Sequence, residues 1–462
     1  MIDKPNIFLI TIDCLRADFL GCLGNKNKPT PFLDKLAHEG ILFKQTYSNA
    51  PYTVGSFPSI LTSTYPALYN DKLELSPYRT TIAEVLKKAG YKTAGLNTNA
   101  YLSVYYNYGR GFDYFFDVLS EKKKMTKSKF KNIILRLIRK TPLRILLKII
   151  PILPSPQNDA QKINKKALKW LKNNKSNPFF IWLHYLDVHG SYIPNRNYRP
   201  ISKRRMAYLN KLIANRNKLV KLNIKKNLDL KYLSKKYTQK ITKEDIKDIV
   251  RLYESNIRCV DDQLSIFFKN LKRLNLYNNS LFIITSDHGE EFYEHGLFSH
   301  FGQLYDELIH VPLIFKGPNL PKRCKIETLI SLIDLAPTIL DYLNLKKEDN
   351  FLGKSFLPLF AKSEGNYNRK FVVSELIKGY GPQLFSIRTN NYKLIYNVAN
   401  QLIELYNIKD DPNEQNNIYN QNKVVAEDLK YLILDHIKME VAYQNKAKEM
   451  DRIDKVIKKI KF

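Results

Sequence analysis

The sequence predicts an α/β fold: a mostly parallel central sheet with helices on both faces. Two observations predict it. Short apolar, β-branched or aromatic runs alternate with helix-spaced segments along the chain. Acid or His residues, Asp13, Asp187 and the pair Asp287-His288, follow three separate apolar runs, where open sheets of this kind gather ligands beyond their strand ends.

The elements follow in order. Residues 6–12 read as a strand ending at Asp13, and Thr30 to Ala37 have helical spacing. Ile82, Val85 and Leu86 mark a helix within 81–89, ahead of a strand near 91–96. A helix at 160–174 precedes the strand Phe179 to Tyr185; a helix near 243–272 precedes the strands Ser280 to Thr285 and Val311 to Phe315. Two basic insertions interrupt the pattern. Lys122 to Lys148 holds eleven Lys or Arg and no acid at amphipathic spacing; Pro142 and the charges exclude a transmembrane span. That segment suits either an anionic membrane surface or a helical cover at the active-site rim. Lys203 to Lys240 holds thirteen basic residues and one acid, Asp229, and reads as a solvated helical excursion.

The chain has 462 residues, 44% hydrophobic and 12% aromatic, which is ample for a core and excludes global disorder. Its 75 Lys and Arg against 44 Asp and Glu give +31, suited to phosphate, sulfate, nucleic acid or anionic lipid, or a Lys-rich composition spread over solvated faces. Nucleic acid is not expected, because no binding module is recognisable. Cys14, Cys22, Cys259 and Cys324 are too scattered for a disulfide framework, and no signal-peptide pattern opens the chain. The expected location is cytoplasmic, peripheral to the inner face of the cell membrane.

Five segments carry chemistry: Pro5 to Asp18, Thr30 to Gly40, Ala50 to Thr62, Ser286 to Glu290, and Glu294 to Gly296. With Leu304 to Glu307, His310 to Ile314, Leu335 to Thr338 and the late Glu404 to Asn407 and Asp411 to Glu414, they resemble, in order, the sulfatase family of the alkaline phosphatase superfamily. The resemblance implies a three-layer alkaline phosphatase-like fold over 1–370, with the insertions near 121–155 and 200–241. A small C-terminal α+β subdomain is expected at 371–445 and a basic tail at 446–462.

The family's Cys or Ser, precursor of formylglycine or its equivalent, lies nine positions before the Thr of a Thr-Gly pair. Counting back from Thr62, which Ser63 follows, gives Thr53, with Gly55 in place of the family's Pro and Phe57 in place of its Arg. Ser56-Phe57-Pro58-Ser59 imitates the motif three residues out of register, so Ser56 is expected to be inert. A threonine cannot become formylglycine, but near a divalent cation its hydroxyl can ionise and attack phosphorus or sulfur. The alternative for Thr53 is an ordinary hydroxyl at a helix N-terminus.

By the same resemblance Asp13, Asp287 and His288, with Thr53, are the expected ligands of one divalent metal. Cys14 and His288 replace family oxygen donors, favouring manganese or zinc over calcium. A second metal would need Asp187, His189 and His300. His189 and His300 are the expected acid groups at the leaving group. Thr98 and Asn99 stand where sulfatases bind sulfate with a Lys that is absent here; with Asp187 they are the expected substrate contacts. The expected activity is hydrolysis of an anionic phosphate or sulfate ester. The alternatives are a phosphoglycerol- or phosphoethanolamine-type transferase and a silent metal- and anion-binding scaffold.

Overall fold

The computed structural model describes residues 4–69, 73–118, 159–224, 241–300, 302–361, 367–377 and 383–460. The segment Lys122 to Lys148 lies outside them. Eight strands form the main sheet: β1 (Asn6–Ile12), β2 (Ile41–Phe43), β3 (Lys92–Leu96), β4 (Tyr114–Phe116), β5 (Phe179–Tyr185), β6 (Ser280–Thr285), β7 (Leu313–Lys316) and β8 (Cys324–Ile326). Their order is β8-β2-β7-β6-β1-β5-β3-β4, and β7 alone runs against its two neighbours. The strand expected from Val311 begins two residues later.

The central strand shows why the sheet is covered twice. Phe8, Ile10 and Ile12 of β1 pack with Ala160 and Ile163 of α4 (Asp159–Asn174) and Leu252 and Val260 of α6 (Lys243–Arg273). Its alternate residues Ile7 and Leu9 pack on the other face, with Phe57 and Ile60 of α2 (Thr53–Thr62), Leu86 of α3 (Ile82–Lys88) and Ile339 of α7 (Leu335–Tyr342). Period-two alternation turned into two apolar faces makes the run continuously apolar. The register brings Thr11 beside both His184 and Thr285, so the carboxyl ends of β1, β5 and β6 finish level.

Long-range caps fix the helices around that edge. Both carboxylate oxygens of buried Asp261, on α6, accept the N–H groups of Phe32 and Leu33 in the first turn of α1 (Pro31–His38), each at 2.9 Å. Asp261→Ala strands both donors and is expected to cost about 1–2 kcal/mol, seen as a lower unfolding midpoint with turnover retained.

A second sheet of four antiparallel strands, β9 (Val372–Leu376), β10 (Leu384–Arg388), β11 (Tyr392–Asn397) and β12 (Ile403–Asn407), packs against the last helix, α8 (Lys423–Ile460). The tail expected from 446 is thus a continuation of α8. Within the second basic insertion, α5 (Lys203–Ile224) is helical as expected but not simply solvated, since Met206, Leu209 and Ile213 are buried in the main core. Among the described residues no helix is long and apolar enough to cross a membrane, and the four cysteines are free thiols.

Candidate functional site

Asp13 follows β1 directly, and its N–H donates to the Tyr185 carbonyl at the end of β5. Asp287 and His288 follow β6 in a tight turn whose Gly289 lies against the Glu307 backbone; a Cβ there would stand 2.0 Å from the Glu307 carbonyl oxygen. Gly289→Ala must therefore displace the Asp287-His288 turn. Lower thermal stability and lower turnover together are expected, checked by unfolding and assay of the soluble fraction. The Glu307 stretch is itself anchored from the second sheet. Buried Lys393 bridges Asp306 and Glu414 at 2.7 Å each, so the C-terminal strands brace the turn that braces His288.

Thr53 is the first residue of α2, after Tyr52, which makes no side-chain cap. Its Oγ1 lies 3.3 Å from His288 Nε2. The other ring nitrogen of His288 sits 2.8 Å from the Gly289 carbonyl, which only accepts, so Nδ1 carries the hydrogen and Nε2 presents its lone pair. That nitrogen is 3.7 Å from Asp13 and 3.5 Å from Asp287. Burial holds the His288 imidazole below its usual value despite the Asp287 charge, which keeps it neutral.

Ser56 has a structural occupation: its hydroxyl donates to the Ala50 carbonyl at 2.8 Å. Gly55 is explained by crowding, since a Cβ would meet Ala50 and the Tyr52 ring at 2.6 and 2.7 Å. Phe57 packs on Trp182 and edge-on against His184.

His184 is a residue that sequence reasoning left without a role. Its Nε2 lies 3.2 Å from Asp13 Oδ2 and its Nδ1 2.9 Å from Thr11 Oγ1, which also accepts the Trp182 indole N–H. An ionised carboxylate only accepts, so His184 Nε2–H donates to Asp13 and orients it. Burial alone would raise the Asp13 carboxyl; the His184 hydrogen bond and the neighbouring histidines outweigh it and hold it low. Asn99 Nδ2 also donates to Asp13, at 3.2 Å. It thus serves the carboxylate, while Thr98 is buried beside Asp159.

On the far side of Cys14, His300 Nδ1–H donates to Glu290 Oε1 at 3.0 Å, and Tyr192 donates its hydroxyl to Glu290 Oε2 at 2.8 Å. Glu290 is the second residue left without a role, although it stands three positions after Asp287. His189 is half-buried, with Nδ1–H to the Gly190 carbonyl at 2.6 Å and its ring 5.3 Å from that of His300. Burial opposes its protonation, but the charges of Asp13 and Glu290 outweigh that and raise it above the usual histidine value.

Asp187 departs from the expected substrate and second-metal role in its placement: its two oxygens accept the N–H groups of Asp159 and Ala160 at 3.0 and 2.7 Å, capping the start of α4. The donor triad that does gather there is Cys14, His189 and His300, with ligand atoms within 4.8 Å of one another.

The residues around Asp13 fit a divalent cation. Asp13, Cys14 and His288 place one ligand atom each within 4.8 Å of one another, and Asp287 Oδ2 stands 3.5 Å from His288 Nε2. Asp287 Oδ2 is buried without a hydrogen-bond partner among the described residues. Burial and then the adjacent Asp13 charge push the Asp287 carboxyl up, against the neighbouring histidines, as expected where two carboxylates are buried side by side.

The sulfatase family model matches residues 5–345, most of the chain. The chain belongs to the sulfatase family. A model of the N-sulphoglucosamine sulphohydrolase C-terminal region matches residues 293–440. Arylsulfatase K of Canis lupus familiaris is 25% identical over 90% of this chain and 79% of its own length. A sulfatase of Formosa agariphila is 24% identical over 91% of this chain and 84% of its own length. A protein solved in complex with its substrate D-glucosamine-2-N,6-O-disulfate superposes with a TM-score of 0.73 at 19% identity, over 95% of this chain and 99% of that one. The phosphonate monoester hydrolase of Agrobacterium radiobacter gives 0.71 at 20% identity, over 95% and 96%. This sulfatase-family chain is an ester hydrolase with the family's mixed α/β fold.

Proposed function

We propose that the chain hydrolyses an anionic phosphate or sulfate ester, phosphate in preference, with Thr53 as nucleophile and one divalent metal held by Asp13, Asp287, His288 and Thr53. The observation that carries this reading is the position of the Thr53 hydroxyl, 3.3 Å from the lone pair of a neutral His288 and at the N-terminus of α2. That helix end offers backbone N–H groups to a tetrahedral anion. When bound, the metal supplies Lewis acidity that favours the Thr53 alkoxide and neutralises charge on the reacting ester.

The chain's own residues do the rest. His184 and Asn99 hold Asp13 in place, and Gly289 O fixes the His288 tautomer. His189, whose charged form the surrounding carboxylates favour, is placed to protonate the leaving oxygen, with His300 on Glu290 as its neighbour. Water then attacks the esterified Thr53 and releases the anion. An aryl phosphate monoester, an aryl phosphate diester and an aryl sulfate, assayed with and without manganese or zinc, test the reading; hydrolysis of the sulfate alone, or equal rates in a chelator, overturns it. The basic segment Lys122 to Lys148 supports a peripheral membrane location on the inner face, tested by co-sedimentation with anionic against neutral vesicles.

A further inference from the structure

The helix α8 lies over β9 to β12 through a stripe of Ala426, Leu429 and Ile433. Continued at the same three- and four-residue steps, that stripe reaches His436 and Glu440, where an apolar core position is expected. On the strand opposite, Glu375 points to the same face of β9 as Val373, which packs in that core. All three are inside the protein: Glu375 is 0%, His436 8% and Glu440 3% exposed.

His436 Nε2 lies 2.6 Å from Glu375 Oε1 and 3.7 Å from Glu440 Oε1, and the three atoms fall within 4.8 Å of one another. Glu375 Oε2 accepts the Ala67 N–H at 3.0 Å. Glu440 Oε1 is buried and accepts no hydrogen bond among the described residues. Tyr65 packs edge-on against the imidazole with ring centroids 4.4 Å apart, and Phe385 closes another side. The buried guanidinium of Arg79 is nearby, with hydrogen bonds to the Tyr65 and Pro66 carbonyls at 3.0 Å each.

Two buried carboxylates thus face one imidazole nitrogen, which sits closer to Glu375 than to Glu440. Glu440, whose carboxyl is pushed well up by burial and then by the adjacent Glu375 charge, is left with a buried acceptor that nothing among the described residues satisfies, an arrangement that costs more than an apolar residue in its place. A divalent cation resolves it by taking both carboxylates and the imidazole nitrogen. Donors around one tetrahedral ion at about 2.0–2.2 Å lie roughly 3.4 Å apart. The Glu440 pair is already near that spacing, and the Glu375 pair reaches it by opening less than about 1 Å. Two carboxylate oxygens with one imidazole suit zinc, manganese or cobalt better than calcium.

We propose that Glu375, His436 and Glu440 form a second divalent-metal site, separate from the Asp13 cluster, that clamps α8 to the C-terminal sheet and, through Ala67, to the segment following α2. The site is structural: its ion stabilises the folded chain and takes no part in turnover.

Metal analysis of the full-length protein reconstituted with zinc, together with thermal unfolding, tests it. Wild type is expected to hold two ions per chain, Asp287→Asn one, and Asp287→Asn combined with Glu440→Gln none. Glu440→Gln is nearly isosteric, so a folded variant is expected even where His436→Gln does not accumulate. In cobalt-loaded Asp287→Asn, visible absorption from a low-symmetry site with nitrogen and oxygen donors is expected and should vanish on adding Glu440→Gln. The sign of the stability change separates a metal clamp from a plain buried cluster. With metal, Glu440→Gln lowers the unfolding temperature and abolishes its response to chelator. Without metal, removing an unsatisfied buried acid raises it or leaves it unchanged. Metal content that Glu440→Gln leaves untouched, or an unfolding temperature of that variant at or above wild type in zinc, overturns the proposal. If Asp287→Asn keeps its metal, the catalytic-centre assignment fails while the loss of one ion in Glu440→Gln still reads on this site.

Discussion

Thr53→Ala is expected to lower turnover of an aryl phosphate by on the order of a thousandfold or more, the loss typical of removing a covalent nucleophile. The variant should fold, because among the described residues the Thr53 hydroxyl serves no cap and bonds to no backbone group, only approaching His288 Nε2. Ser56→Ala gives the contrast. Its hydroxyl bridges the Ala50 and Tyr52 carbonyls and approaches Ser48, so its removal is expected to cost roughly 1 kcal/mol of stability and less than about tenfold in rate. The same chemistry sets the order of substrates. A formylglycine hydrate can expel sulfate with its second hydroxyl; an esterified threonine has no such exit and needs attack by water, a route suited to phosphoryl transfer. Steady-state kinetics on matched aryl phosphates and sulfates decide both points. Equal losses in the two variants, or a wild-type preference for sulfate, would overturn the assignment of Thr53.

Much of this architecture was legible in the sequence because its signals are local. The runs at 6–12, 179–185 and 280–285 are apolar at successive positions, and a strand buried on both faces leaves that mark whatever surrounds it. The acid that follows each strand was equally visible, but not what it does. Asp13 and Asp287 converge because β1 and β6 are sheet neighbours in level register. Asp187 follows β5, the strand on the other side of β1, and its carboxylate turns instead to the first N–H groups of α4. Position at a strand end is a property of the chain, whereas the direction of a side chain beyond it depends on which helix terminus arrives alongside. For the same reason His184 read as an ordinary strand residue. Only its Thr11 and Asp13 partners, with the Trp182 indole N–H donating to the same Thr11 hydroxyl, show that it orients a carboxylate. The cluster of Glu375, His436 and Glu440 left a fainter mark, polar residues interrupting an otherwise apolar helical stripe, and that stripe becomes meaningful only with β9 opposite it.

Asp287→Asn carries the other large effect, loss of the catalytic metal, and its geometry makes it a clean test. Asp287 Oδ1 accepts the N–H groups of Cys14 at 3.3 Å and His288 at 3.0 Å, and an asparagine oxygen can keep both. What changes is Oδ2, the buried acceptor without a partner among the described residues, which becomes an NH2 donor 3.5 Å from His288 Nε2. The turn is therefore retained while a charge and a ligand atom are removed. Affinity should fall by more than the roughly tenfold to hundredfold seen when a group merely supporting a ligand is lost, and turnover with it. Stability should move in opposite directions with and without metal. In chelator the wild-type protein buries two adjacent carboxylates, and the variant, relieved of one, unfolds at the same or a higher temperature. In saturating manganese or zinc, binding to the folded state stabilises the wild type by an amount that grows with the logarithm of metal concentration, and the variant falls behind. A crossing of the two unfolding temperatures as metal is added is the expected result. Curves that stay parallel, with the variant below throughout, would mean that Asp287 supports the fold and not a cation.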